Sequence, residues 1–187
     1  MGTKSEQHML VTGKAGTGKT HFSIEQALSD KRPIVIIRSV VPTREVGFLP
    51  GELEDKLAPY FELYTPIFRK LSKKPLKDMV RGGQVHFVST SFLRGVNMDN
   101  CTVILDEAQN CTLEELETVL TRLGKGSRLI VIGDVAQTDL KKSESGFQHF
   151  CHIYGRTQGV EYKELFENRR SRLLTDYFRS KKKFEDK

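Results

Sequence analysis

The chain of 187 residues predicts an α/β fold: a three-layer sandwich with a mainly parallel central sheet between helices. Three observations lead there. Short runs rich in Val and Ile recur along the chain, and their continuous apolar character reads as strands covered on both faces. Stretches with helical spacing separate those runs, as right-handed crossovers between parallel strands require. The first run also leads directly into "GKAGTGKT", a glycine-rich turn that opens a helix.

Taken in order, "HMLVT" (8–12) is the first predicted strand and "KTHFSIEQALSD" the helix after the turn. "PIVIIR" (33–38) is a second strand. Residues 39–51, "SVVPTREVGFLPG", with their prolines and glycines, read as a structured loop. A helical insertion over about 52–81 follows, containing "ELEDKLAPYFELYTPIFRKL" and expected to break at Pro59 and Pro66. "QVHFVS" (84–89), "CTVILDE" (101–107) and "RLIVIGD" (128–134) supply further strands. Between the last two, "CTLEELETVLTRLG" reads as a helix that Thr112 caps, Glu115 completes as a capping box and Gly124 stops. With no internal repeat and no low-complexity linker, residues 1–187 read as a single domain with a basic C-terminal tail at about 179–187.

A hydrophobic content of 37% and a charged content of 29% describe an ordinary globular chain. No apolar run approaches the roughly 20 residues needed to cross a bilayer, and "MGTKSEQHML" lacks a secretory pattern. Cys101, Cys111 and Cys151 stand far apart, which argues against a disulfide framework or zinc ribbon and makes the cytoplasm the expected compartment. In "HFCH", His149, Cys151 and His152 lack a placed fourth ligand and read as core or surface. The net charge of +6 favours a polyanionic partner. Its excess gathers in "RKLSKKPLKDMVR" (69–81) and "RRSRLLTDYFRSKKKFEDK" (169–187). These clusters read either as solvated faces or as contacts to nucleic-acid phosphates.

The turn matches G-x-x-x-x-G-K-[ST] over Gly13, Lys14, Ala15, Gly16, Thr17, Gly18, Lys19 and Thr20. Glycine permits backbone conformations that point successive N–H groups at phosphate oxygens, and the helix start adds its positive end. Lys19 can reach the β- and γ-phosphates, and the Thr20 hydroxyl can join a Mg²⁺ shell. The expected cofactors are therefore ATP and Mg²⁺. In "TVILDEAQN" an apolar strand ends in two carboxylates. Asp106 is placed to hold the metal, directly or through water, and Glu107 to orient and deprotonate the attacking water. In "LIVIGDVAQTDL", Gln137 can contact the γ-phosphate and the water together, while Asp134 holds its loop or pairs with an arginine.

The order of these motifs resembles the PhoH family of ATPases, related to the superfamily 1 helicase core. The likeness also includes "EVGFLPGELEDKLAPY" (45–60), "FLRG" (92–95), "SGFQHF" and "NRRSRLL". It implies a RecA-like P-loop ATPase, often tied to RNA or other nucleic-acid metabolism, with homo-oligomers and hexameric rings as plausible assemblies. It places a catalytic arginine at Arg170, with Arg169 as the alternative. By analogy Arg44, Thr90 and Arg94 are candidates for contact with nucleic acid or with a neighbouring subunit, or else ordinary loop residues. Two departures stand out. Lys14 occupies a position often held by proline. Only about eight residues precede the first strand, where relatives place an adenine-reading glutamine, a part left here to Gln7.

An arginine at the transferring phosphate is worth about 10³–10⁵ in rate in well-studied NTPases. Two-domain motors supply it from a second domain, and a neighbouring chain in a ring is the expected source here. The rival readings are a nucleoside kinase of thymidine-kinase type and an ATP-binding switch with little turnover. The first lacks its cysteine-based zinc lasso, and the second needs neither Glu107 nor Gln137.

Overall fold

The computed structural model describes residues 7–39, 53–93, 95–138 and 145–166. Six strands form one sheet: β1 (His8–Gly13), β2 (Ile34–Arg38), β3 (Val85–Ser89), β4 (Thr102–Asp106), β5 (Arg128–Gly133) and β6 (Val160–Leu165). Every pairing is parallel, in the order β3-β2-β4-β5-β1-β6. The helices are α1 (Lys19–Ser29), α2 (Leu53–Leu71), α3 (Leu76–Arg81), α4 (Leu113–Thr121) and α5 (Phe147–Tyr154). This is a RecA-like P-loop sandwich: β5 stands between the phosphate-loop strand β1 and the acidic strand β4.

Alternation along the strands builds both faces. Met9, Val11, Ile36, Ile104 and Ile132 pack with Ile24, Ala27 and Phe68 under α1, α2 and α3. Leu10, Val103, Leu105 and Val131 pack with Leu116, Phe147 and Phe150 under α4 and α5. Strands wetted on neither face must be apolar throughout, and β4 and β5 are buried along their whole length. Their polar exceptions are partnered. Arg128, which opens β5, pairs with Asp30 at 3.0 Å, and Thr102 donates to the same carboxylate at 2.8 Å. A buried charge without such a partner would be costly.

Three sequence expectations change. The breaks at Pro59 and Pro66 do not occur, because α2 runs unbroken from Leu53 to Leu71. The prolines are seven residues apart, two turns of helix, and so share one side. Pro66 is exposed, while Tyr64 and Phe68 are buried against the sheet, so the N–H that Pro66 lacks is tolerated on the wet side. Helix α4 ends at Thr121, before Gly124. Gly124 instead lies against Asp99 and Met98, where an added Cβ would fall 1.8 Å from Asp99 Oδ1 and 3.1 Å from the Met98 carbonyl. Strand β6, "VEYKEL", was not anticipated.

Candidate functional site

Parallel strands all end at the same edge of a sheet, and four of these ends converge on one cleft of about 510 Å³. Strand β1 delivers the glycine-rich loop. Gly16 and Gly18 stand at φ 84° and 86°, where glycine is at ease, and Gly18 precedes the first turn of α1. Gly13 is needed for space: a Cβ there would lie 2.5 Å from the Leu165 carbonyl of β6. Lys19 folds across the loop and donates to the carbonyls of Gly13 at 2.7 Å and Lys14 at 3.1 Å. The Thr17 hydroxyl donates to the Lys14 carbonyl at 2.8 Å. The Lys14 side chain is exposed, whereas Ala15 and Gly16 line the cleft.

Strand β4 ends at Asp106, not at Glu107 as the sequence implied. Asp106 is only 2% exposed. The Thr20 hydroxyl stands 3.4 and 3.5 Å from its two oxygens, which brings the loop and the acidic strand together as expected. Burial and the adjoining Glu107 carboxylate push the Asp106 carboxyl above its ordinary range, and Arg38 and Tyr64 oppose them. Glu107 turns out of the strand at φ 54°, ψ 41°, a left-handed conformation that side-chain-bearing residues seldom adopt. Such local strain concentrates at functional sites. The turn aims the two neighbouring carboxylates differently and sets Glu107, about a third exposed, at the cleft wall.

Strand β5 leads to Asp134 and Gln137, which also line the cleft. Asp134 holds its own loop by accepting the Ala136 N–H at 2.9 Å. Its second oxygen has no hydrogen-bond partner among the described residues.

Three residues that the sequence did not single out shape the site: Arg38 and Tyr64 line the cleft, and Gln109 is buried behind it. Arg38 closes β2 in register with Asp106, and its guanidinium lies 3.7 Å from Asp106 and 3.9 Å from Glu107. Tyr64, from α2, donates its hydroxyl to Asp106 Oδ2 at 2.7 Å. Burial and the Asp106 charge raise its pKa strongly, so it remains a donor. Buried Gln109 donates to Glu107 and accepts the Asp134 N–H at 3.1 Å, bridging the ends of β4 and β5. A signal existed for Gln109 in the quoted "DEAQ" and for Arg38 as a charge closing an apolar strand. Tyr64 had none.

Other expected residues lie elsewhere. Thr90 is buried and donates to Glu115 at 2.7 Å, away from the cleft. Arg44, Arg94, Arg169 and Arg170 lie outside the described residues, as does the tail. On α5, His149 and His152 are exposed, and burial pushes the Cys151 thiol up to about 12, far from a thiolate ligand at neutral pH. Among the described residues no helix is long and apolar enough to cross a membrane.

A phosphate loop on β1, a carboxylate closing β4 opposite its threonine, and a polar loop after β5 define a nucleotide-binding P-loop protein. The chain belongs to the PhoH family: the family model "PhoH-like protein" matches residues 3–176. It is 37% identical over 158 residues to a PhoH-like protein of Synechocystis, an alignment covering 80% of this chain and 48% of the relative. It is 38% identical over 161 residues to a PhoH-like protein of Bacillus subtilis, covering 82% and 50%. With protein PhoH of Escherichia coli K12 it shares 38% over 148 residues, covering 74% and 42%. The chain thus spans about half the length of these curated relatives. Among solved structures, a Bacteroides Pif1 bound to single-stranded DNA is similar with a TM-score of 0.41 and 20% identity, over 88% of this chain and 39% of that one.

Proposed function

We propose that the chain binds ATP and hydrolyses it with Mg²⁺, and that turnover is coupled to binding or remodelling of RNA or other single-stranded nucleic acid. The observation that carries this reading is the gathering of Lys19, Thr20, Asp106, Glu107 and Gln137 around one cleft. The Thr20 hydroxyl and the Asp106 carboxylate suit Mg²⁺: both are hard oxygen donors, and they face one another across the loop mouth. The metal would draw its remaining ligands from phosphate oxygens and water, and would offset charge building on the β- and γ-phosphates.

In this reading the loop N–H groups and Lys19 hold the phosphates, Lys19 exchanging carbonyl partners for phosphate oxygens. Glu107 accepts a proton from the water that attacks the γ-phosphorus, as the bond to the ADP oxygen breaks. Gln137 orients that water. Arg38 is the arginine lining the cleft among the described residues, and two carboxylates engage it. The proposal therefore includes a homo-oligomer, with a hexameric ring as the preferred form, in which a neighbouring chain contributes a transition-state arginine. Arg170 is the proposed donor, and Arg44 and Arg94 are proposed to touch nucleic acid or the neighbour. Thr90 would need to leave Glu115 to join them.

Support for the polyanion comes from the end of α2, the turn after it and α3, where Arg69, Lys70, Lys73, Lys74, Lys77 and Arg81 are all exposed. The test is steady-state ATPase rate against protein concentration, with and without single-stranded RNA and DNA, with Glu107→Gln as control. A rate per chain that rises with concentration and responds to nucleic acid is expected. A slow rate, flat in both variables yet abolished in Glu107→Gln, would leave the ATPase and remove the shared site and the polyanion.

A further inference from the structure

We infer that Tyr64 is a positioning residue for the metal-facing carboxylate, so that helix α2 is a working wall of the nucleotide site rather than a peripheral insertion. This rests on the proposed metal role of Asp106. Three hydrogen-bond geometries carry it. The Glu107 N–H donates to Asp106 Oδ1 at 2.9 Å, and the Tyr64 hydroxyl donates to Oδ2 at 2.7 Å. One fixed donor on each oxygen sets the plane and rotation of the carboxylate. In that setting the Thr20 hydroxyl stands almost equidistant from the two oxygens, at 3.4 and 3.5 Å. The carboxylate therefore offers both oxygens almost equally to the residue with which it would share a metal.

The bland account is that a buried tyrosine needs some acceptor, and Asp106 happens to be near. Packing alone does not call for the hydroxyl. The Tyr64 ring sits 5.4 Å from that of Phe87 with 1% exposure, contacts that phenylalanine would make equally well. The chosen acceptor is moreover the one carboxylate that closes the acidic strand. Helix α2 continues the contact along the cleft: Leu63, Ile67 and Lys70, four and three residues apart and so on one helix face, line it beside Tyr64. Outer partners of metal ligands typically account for about 10- to 100-fold in metal affinity, because a ligand free to rotate must be ordered when the metal binds.

The test is Mn²⁺ binding in the presence of a non-hydrolysable ATP analogue, followed by loss of the free Mn²⁺ paramagnetic signal in the full chain. Tyr64→Phe keeps the ring and removes the hydroxyl, and Phe87→Leu loosens the ring packing and keeps the hydroxyl. The expected result is a rise of roughly 10-fold or more in the Mn²⁺ concentration for half-saturation in Tyr64→Phe alone. Half-saturation unchanged in Tyr64→Phe, or shifted equally in Phe87→Leu, would overturn the assignment. A wild-type chain that binds the analogue but takes up no Mn²⁺ with it would overturn the metal role of Asp106 and this inference together. A wild-type chain that binds no analogue at all would overturn the nucleotide reading itself.

Discussion

Glu107 holds a backbone conformation that glycine would adopt more readily, yet a carboxylate stands there. Its left-handed turn lets two adjacent acids face different tasks, one toward Thr20 and one toward the open cleft. Glu107→Gln should therefore keep nucleotide binding while lowering turnover by about 10²-fold or more, the usual contribution of a general base, in parallel binding and steady-state assays. At Gly13 the constraint is space. Gly13→Ala would drive a methyl into the Leu165 carbonyl, and should cost about 1–3 kcal/mol by chemical denaturation and weaken nucleotide binding as the loop shifts. The loop residues and Asp106 were legible in the sequence because phosphate chemistry fixes their identities and spacing. Arg38 and Tyr64 were not, because each is an ordinary residue until register and packing bring it to Asp106. Arg38 reaches it across a strand pair and Tyr64 from a helix more than forty residues upstream.

The elements divide by what makes them visible. Helix α4 was legible because its start is written locally: the Thr112 hydroxyl accepts from the Glu115 N–H while Glu115 reaches back to the Thr112 N–H at 2.9 Å. Thr112→Ala should cost about 1 kcal/mol by urea denaturation. Strand β6 was missed because it lies at the sheet edge, where Glu161, Tyr162 and Glu164 are exposed and no apolar run forms. Helix α2 was misread because a proline inside a helix usually ends it. Here burial of Tyr64 and Phe68, roughly 1.5–3 kcal/mol for each such side chain, offsets the lost bonds. Pro66 still withholds an N–H from the helix, so Pro66→Ala should raise stability, by up to about 3 kcal/mol, read as a higher denaturation midpoint.

At the scale of the molecule, a sheet whose strands all run one way collects chemistry at a single edge. That edge receives the phosphate loop from β1, Arg38 from β2, Asp106 from β4 and Asp134 from β5. The opposite ends are pinned by the buried Arg128–Asp30 pair. The end of α2, the turn after it and α3 carry exposed cations, and nucleic acid held there should release counterions on binding. Replacing Lys73, Lys74 and Lys77 together by glutamate should weaken binding to single-stranded RNA. It should also flatten the dependence of log affinity on log salt by up to about 2, three phosphates' worth for a single strand.

The chain has no tryptophan and five tyrosines, so its near-ultraviolet emission belongs to phenols. A phenol hydrogen-bonded to a carboxylate is quenched and red-shifted in absorption, and Tyr64 is held in that state by Asp106. A ligand that draws charge from Asp106 should therefore shift the absorption of that ring, read as an ultraviolet difference spectrum that Tyr64→Phe abolishes. The protein thus carries, without a label, an optical gauge at the mouth of its phosphate loop.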